Sequence, residues 1–381
     1  MIAGRRIPLA FVGGGQRSLI GGVHRAAAAL SERFALKGGV FGTDPARERA
    51  RAHALGLDER RIHADLPALF ASERALPPGE CIEAIAVLTP NHLHFEQVLG
   101  ALRAGLHVIC EKPFTVTAGQ ADELARVAVA NDRLVCVAHT YAGYPMVRQM
   151  RALIAAGAIG TVQKIDARYY QGWINPALQD AGSRAAIWRL DPARSGPSCC
   201  YGDIGVHAFD LVEYTTGLRV QRVLADLRAM PGAGGLDIDG TTLLRTADGV
   251  PGVLRASQVA TGEENSVGIA VYGSRGALKW SHDAPAQLIH LREDAPMQVF
   301  TPGHAFNEAL GRGASQLPPG HPQGLVEAMA NLYRGFADAL DGDAGAHERF
   351  RGIEAGVRGM RFLEAVTESN RGGSVWTEIR E

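Results

Sequence analysis

The chain has 381 residues, 46% of them hydrophobic and 21% charged, with a formal net charge of -1. That is apolar material for a large core in two domains, or in one domain with a substantial second lobe; the balanced charge, without basic blocks interleaved with aromatics, argues against nucleic acid or anionic membrane as partners. No run is long enough to span a bilayer, and the five cysteines, odd in number and without C-x-x-C spacing, point to a reducing cytoplasm.

Arg5-Arg6 leads straight into a short apolar run and reads as solvated charge rather than an export signal. Ile7 to Val12 is that run, a predicted strand, and it breaks into Gly13-Gly14-Gly15-Gln16-Arg17-Ser18 before a helical pattern from Leu19 to Leu30. Strand, glycine turn and helix is the order of a dinucleotide site: glycines let the backbone approach a pyrophosphate, and the helix start supplies free N–H groups. Gly13 and Gly15 fit the first two glycines of G-x-G-x-x-G, and Ser18 stands third, where a small residue allows helix and strand to pack closely. Taken alone, the run is also compatible with a plain tight turn.

Strands at Phe34 to Phe41, Ile82 to Leu88, Leu106 to Cys110 and Leu134 to Ala138 alternate with helices at Ala46 to Leu55, His94 to Ala104 and Ala118 to Asn131. Such alternation predicts an α/β fold with a doubly wound parallel sheet, a Rossmann domain over residues 1–139. Ligands bind such sheets at the carboxyl ends of the strands. The glycine turn, Thr89-Pro90-Asn91-His92 and Glu111-Lys112-Pro113 all follow strands, so three sequence-distant loops are expected on one rim.

Beyond residue 140 a helix from Pro145 to Ala156 leads into a strand from Val162 to Trp173, and more strands follow between Val220 and Arg292. Asp248-Gly249 and Ser274-Arg275-Gly276 are hairpin turns, so residues 140–381 are expected to form a second α/β domain with a large, mostly antiparallel open sheet. An apolar open face favours self-association. Pro302 to Pro322 reads as a long loop, followed by helices at Gly324 to Leu340 and Glu348 to Ser369 and a closing strand at Ser374-Val375-Trp376.

Against an arginine-rich background the chain has four lysines, Lys37, Lys112, Lys164 and Lys279. Lys112 therefore stands out, because an ammonium can position or share a proton and a guanidinium cannot. Asp203 and His207, in Gly202-Asp203-Ile204-Gly205-Val206-His207, lie four apart and share one face of a helix. Lysine, aspartate and histidine make an acid/base set for oxidising an alcohol. His207 suits proton abstraction because imidazole titrates near neutrality, Lys112 suits the developing negative charge on the reacting oxygen, and Asp203 suits orientation of the imidazole or of a neighbouring hydroxyl. Which of Lys112 and His207 is the formal base stays open. The structural alternatives are an N-cap for Asp203, a core place for His207 and a solvated one for Lys112. A metal at Asp203 and His207 lacks a third ligand, and His92 and His94 do not share a helix face well, so no metal is expected; Asn91 reads as an N-cap there. Cys199-Cys200, just before Asp203, is either a pair of small hydrophobes or a redox-sensitive pair.

The order of glycine turn, Thr89-Pro90-Asn91-His92-Leu93-His94, Glu111-Lys112-Pro113 and Gly202-Asp203-Ile204-Gly205-Val206-His207 resembles the Gfo/Idh/MocA oxidoreductase family over nearly the whole chain. Gly21-Gly22-Val23-His24-Arg25, Trp188-Arg189-Leu190-Asp191-Pro192 and Gly320-His321-Pro322-Gln323-Gly324 resemble its branch of MocA-like proteins and levoglucosan-type sugar dehydrogenases. The resemblance implies reversible oxidation of a secondary hydroxyl on a sugar, inositol or related polyol with a nicotinamide cofactor, in a homodimer or homotetramer. It implies cofactor contacts from Gly13, Gly15, Gln16, Arg17, Ser18, Thr89, Pro90, Asn91, His94, Glu111 and Lys112, with Pro90 and Asn91 bordering the nicotinamide ribose.

In many relatives an acidic residue ends the second strand and holds the adenine ribose; here that place is Gly42. Asp44 is close enough to substitute, while Thr43 and Arg47 suit a phosphate, so NAD is expected and NADP is not excluded. Tyr144, Arg148, Trp173, Trp188, Arg189 and His321 are substrate-pocket candidates by their position in the family-like motifs, as aromatic faces suit sugar C–H faces and arginine forks suit vicinal hydroxyls. Other readings are a nucleotide-binding sensor without chemistry, an imine or enone reductase, and a glycoside-acting enzyme that works through transient oxidation.

Overall fold

The structure is a computed structural model that describes residues 4–15, 18–42, 44–77, 79–180, 188–229 and 235–381. The chain divides into two compact units, one made of Met1–Thr115, Gly119–Thr140 and Leu325–Val357, the other of Val116–Ala118, Tyr141–Gly324 and Arg358–Glu381.

The first unit is built on five parallel strands in the order β2-β1-β3-β4-β5: β1 Ile7–Gly13, β2 Phe34–Val40, β3 Ala84–Leu88, β4 His107–Cys110 and β5 Val135–Val137. Ile7 to Val12 and all of β3 are buried on both faces, which is why these strands read as unbroken apolar runs. Between them run helices α1 Leu19–Ser31, α2 Pro45–Ala54, α3 Leu66–Arg74, α4 His94–Arg103 and α5 Ala118–Ala130. The strand order reverses direction at β1, whose neighbours are β2 on one side and β3 on the other. That puts the crevice at the carboxyl ends of β1 and β3. The core joins Leu9, Phe11 and Ala86 to Tyr333, Phe336 and Phe350. Burying a side chain such as Phe336, which is fully inaccessible, contributes about 1.5–3 kcal/mol.

The second unit carries a nine-stranded sheet in the order β13-β12-β11-β10-β6-β9-β8-β7-β14. Its strands are β6 Val162–Tyr170, β7 Val220–Ala229, β8 Asp237–Thr246, β9 Pro251–Ser257, β10 Ser266–Gly273, β11 Ala277–Ser281, β12 Leu288–Leu291, β13 Gln298–Phe300 and β14 Thr377–Glu378. All neighbouring pairs are antiparallel except β6 with β9. The expected α/β fold, a parallel sheet plus a mostly antiparallel one, is what the chain adopts. Ile165, Ala167 and Tyr169 are buried while Lys164, Asp166, Arg168 and Tyr170 on the other face are not. On β8 the same alternation buries Ile238, Thr242 and Leu244 and exposes Thr241 and Leu243. Helices Pro145–Ala155, Val206–Thr216 and the later part of Ile353–Arg371 belong to this unit, and Phe209 stacks on Phe362 at 4.2 Å between centroids.

Two strand ends differ from expectation by three residues. β6 stops at Tyr170 instead of Trp173; past it Gln171 bonds to the segment after β9, its N–H donating to the Ser257 carbonyl at 2.7 Å and its carbonyl accepting from Ala260 N at 3.0 Å. The closing strand is Thr377–Glu378 rather than Ser374 to Trp376; Trp376 is held by its ring, with the guanidiniums of Arg222 and Arg245 at 5.2 and 5.7 Å.

Candidate functional site

In the first unit the glycine turn leaves β1 with Gly13 at φ +79 and Gly14 at φ +70, a backbone region that favours glycine. A Cβ on Gly13 would lie 2.7 Å from Thr89 Cγ2, so the turn and the loop after β3 touch. Ser18 caps α1, accepting from Gly21 N at 3.1 Å. The close approach expected of the third fingerprint position falls instead to Gly21, whose Cβ would lie 2.3 Å from the Gly14 carbonyl oxygen. Arg25, one turn further on, donates to that carbonyl at 3.0 Å. A backbone cradle with no room for side chains, opening on the start of a capped thirteen-residue helix, fits a dinucleotide pyrophosphate. Gln16 and Arg17 lie outside the described residues, as does Thr43.

Asp44 and Arg47 stand at the start of α2. Asp44 Oδ1 accepts from Ala46 N at 3.1 Å and Arg47 N at 3.3 Å, and Oδ2 lies 3.2 Å from Arg47 Nε. The carboxylate is thus both a cap and an ion-pair partner on an exposed surface.

After β3, Thr89 donates to Gln97 Oε1 at 2.6 Å. Pro90, not Asn91, occupies the cap position before the 3-10 turn Asn91–Leu93, without a side-chain cap, and Asn91 is a buried member of that turn. The expected Asn91 cap is therefore corrected: the chain enters the turn one residue earlier, on the extended backbone of proline. His94 is fully buried, with Nδ1 2.9 Å from the Pro113 carbonyl and Nε2 2.8 Å from the Thr89 carbonyl. Burial pushes its imidazole below the ordinary range, against the two carbonyls and the Glu111 charge. A neutral ring carries one N–H, so His94 donates to one of the two carbonyls and packs against the other, between the two loops.

Glu111 follows β4, and the Lys112-Pro113 peptide is cis. Glu111 Oε1 lies 2.9 Å from His24 Nε2, and Oε2 accepts from Lys112 N at 3.1 Å. Burial raises this carboxyl, but the His24 hydrogen bond and charge, with Lys112, outweigh it and hold the group below the usual carboxylate range. Lys112 itself is half-buried.

In the second unit Tyr201–Gly205 forms a π-helical turn that runs directly into helix Val206–Thr216. Such turns are uncommon and gather at functional sites. Asp203 sits in the π turn and His207 in the first α-helical turn. The N-cap alternative for Asp203 does not hold, because the cap position is Gly205. Instead Asp203 Oδ2 accepts from Gln258 Nε2 at 2.9 Å and Oδ1 lies 3.3 Å from Arg189 Nε. The π turn is anchored from below by Asp237, whose carboxylate accepts from Cys199 N at 3.0 Å and Tyr201 N at 2.8 Å. Burial raises the Asp237 carboxyl against these bonds.

His207 is buried, with the Tyr141 ring edge-on at 5.1 Å and the Tyr169 ring tilted at 6.2 Å between centroids. The Tyr141 and Tyr169 hydroxyls are 2.6 Å apart. Asn265 donates to Tyr141 at 3.0 Å and accepts from Tyr169 and from Gln171, and Gln171 in turn accepts from Trp173 Nε1 at 3.0 Å. Burial raises both phenols, so they keep their protons and act as donors. Tyr144 joins the same cluster: its ring stacks on Tyr141 at 6.1 Å and its hydroxyl lies 3.0 Å from His282 Nε2.

Among the substrate candidates, the second unit thus brings Tyr144, Trp173 and Arg189 to the polar cluster around Asp203 and His207. Trp188 is half-buried under the Arg189 guanidinium, 4.5 Å from its ring. Arg148 is buried in its helix, with Nε donating to the Ala142 carbonyl at 3.1 Å. His321 is exposed in its loop, with Nδ1 3.2 Å from the Pro318 carbonyl. Cys199 and Cys200 are buried and free, their thiols raised by burial, as for small hydrophobes. Tyr141, Tyr169, Asn265, Gln258 and His282 lie in no motif that marks them in the sequence; His24 lies in the Gly21-to-Arg25 motif, which assigns it no role.

Comparison with known proteins agrees with this architecture. Residues 7–139 match the oxidoreductase family with an NAD-binding Rossmann fold, and residues 147–279 match the GFO/IDH/MocA C-terminal domain. An uncharacterized oxidoreductase of Bacillus subtilis, YfiI, is 31% identical over the full length of both chains. Levoglucosan dehydrogenase of Pseudarthrobacter phenanthrenivorans is 29% identical over 60% of this chain and 65% of its own. An inositol dehydrogenase homolog from Azotobacter vinelandii, solved with NADH and myo-inositol, is 35% identical, with a TM-score of 0.90 over 98% of each chain. Among the described residues no helix is long and apolar enough to cross a membrane. The chain belongs to the Gfo/Idh/MocA family and is an NAD-binding oxidoreductase, a dehydrogenase with sugar and inositol dehydrogenases among its relatives.

Proposed function

We propose that this dehydrogenase reversibly oxidises a secondary hydroxyl of a sugar, an inositol or a related polyol, with Lys112, Asp203 and His207 as its acid/base set. The observation that carries this is the Asp203 carboxylate, held at both oxygens by Gln258 and Arg189, one helical turn from a buried imidazole ringed by neutral hydroxyl and amide donors. Such neutral donors suit a polyol's vicinal hydroxyls. The inositol and levoglucosan named for the relatives are ligands or substrates of this class.

Gly13, Gly15, Ser18, Thr89, Pro90, Asn91 and Glu111 would hold NAD, with Asp44 and Arg47 beside its adenine ribose. When bound, NAD supplies the hydride acceptor. His207 takes the hydroxyl proton, and Lys112 hydrogen-bonds the same oxygen as its negative charge develops. Asp203 fixes the orientation of the imidazole or of a neighbouring hydroxyl. Arg189, Trp173 and Tyr144 contribute to substrate binding.

We further infer a homodimer or homotetramer joined through the open sheet face, on which Leu243 and Val299 are exposed. Free cysteines fit a cytoplasmic protein. A panel of polyols, glycosides and sugar acids with NAD, read by nicotinamide absorbance and product analysis, tests the activity. Oxidation of one or more polyols to the ketone is the expected result, and no reduction of NAD with any member would overturn the assignment. Sedimentation velocity tests the assembly, and a monomer at micromolar concentration would refute it.

A further inference from the structure

His24 is fully buried on α1, five residues past the helix start, and both of its ring nitrogens are engaged. Nδ1 lies 2.8 Å from the Tyr333 hydroxyl and Nε2 lies 2.9 Å from Glu111 Oε1. Glu111 is a carboxylate with no proton to give, so Nε2–H donates to it, and burial raises the Tyr333 phenol, so that hydroxyl keeps its proton beside Nδ1. The other oxygen of that carboxylate accepts from the main-chain N–H of Lys112 at 3.1 Å. On the far side of the lysine, His94 Nδ1 lies 2.9 Å from the Pro113 carbonyl. Lys112 is therefore flanked by two residues, each in contact with a buried imidazole. His24 also has a neighbour that faces the cofactor cradle, Arg25, which donates to the Gly14 carbonyl at 3.0 Å.

We propose that His24 is a positioning residue for Lys112: it ties the helix behind the glycine turn to the Glu-Lys-Pro loop, so that dinucleotide binding and the placement of the lysine are coupled. This rests on the catalytic role of Lys112 proposed above. The energetic logic is that a carboxylate buried beside the lysine needs a fixed donor, and a donor on α1 makes the position of that helix part of the lysine's geometry. Misplacing a catalytic group by about 1 Å costs on the order of a hundredfold in rate.

The test compares the full-length protein with His24→Ala, His24→Gln and Tyr333→Phe. Three readouts are taken: calorimetric NAD affinity, amide hydrogen exchange over residues 111–115 without ligand, and kcat and KM for a turned-over polyol. His24→Ala is expected to speed exchange in that segment, to weaken NAD binding and to lower kcat on the order of a hundredfold with KM little changed. His24→Gln, whose amide can donate to Glu111 while its oxygen accepts from Tyr333, is expected to recover most of the loss. Wild-type exchange and NAD affinity in His24→Ala would overturn the proposal, as would failure of the glutamine variant to recover any of them. If the alanine variant does not fold, Tyr333→Phe decides: faster exchange and lower kcat support the coupling, and wild-type values for both overturn it. A wild-type protein that turns over no polyol would defeat the catalytic assignment instead, and exchange and calorimetry would still decide the coupling.

Discussion

Arg189 Nε lies 3.3 Å from Asp203 Oδ1, and the same guanidinium sits 4.5 Å above the Trp188 ring. On the substrate-binding role proposed for Arg189, this cation would exchange part of its contact with the carboxylate and the aromatic face for a substrate hydroxyl. With the Arg189 side chain 38% exposed and that of Asp203 15%, solvent screens the pair, so its loss is a moderate effect. Arg189→Met is expected to raise the polyol KM about tenfold, worth ~1.4 kcal/mol, with a smaller effect on kcat. Steady-state kinetics checks this, and a fall confined to kcat would place Arg189 in the chemical step instead.

Gln258 bridges two groups: its amide donates to Asp203 at 2.9 Å and its oxygen accepts from Cys199 Sγ at 3.4 Å. Gln258→Leu removes the donor and leaves a partly buried carboxylate short of a partner, at a cost of about 1–3 kcal/mol in stability. Lower kcat/KM should accompany a lower melting temperature. A variant with wild-type melting and kinetics would show that Asp203 is held without Gln258.

Asp44 caps α2 and pairs with Arg47; on its proposed place beside the adenine ribose, its carboxylate would accept from the ribose diol and oppose a phosphate there. NAD is expected to bind more tightly than NADP. Asp44→Ala should narrow the ratio, losing about 1 kcal/mol of helix capping as well. Competitive titration of the two cofactors decides it, and tighter NADP binding by the unchanged protein would reverse the assignment.

Burial, with the Arg133 charge, pushes the His107 imidazole down to about 4, against roughly 6.5 in an unfolded chain. Between those values the unfolded state binds a proton that the folded state does not, so stability rises with pH across the window. The contribution is complete above about 6.5 and is lost as pH falls toward 4. His107→Asn should shrink the difference between urea midpoints measured at about pH 7 and about pH 5. An unchanged difference would assign the acid sensitivity to other groups.

The strands and helices of the first unit were legible because β1 and β3 are buried on both faces and announce themselves as apolar runs. The glycine turn was legible in part: Gly13 marks it in the sequence, while the close packing at Gly21 depends on where α1 lies against Gly14. Asp203 and His207 were readable from their spacing, but the π turn that carries Asp203 was not, since it follows from Asp237 catching Cys199 N and Tyr201 N from a distant strand. Tyr141, Tyr169 and Asn265 were hidden for the same reason. They are ordinary residues of loops and a strand until β6 and β10 pair and bring their polar atoms together.

The central claim is that Lys112 acts in the chemical step. The most direct measurement is the single-turnover rate of nicotinamide reduction by Lys112→Ala, with NAD affinity determined on the same preparation. NAD binding close to wild type with a rate lower by about a hundredfold or more is the expected result. A rate within about twofold of the wild type, with NAD bound, would contradict the account.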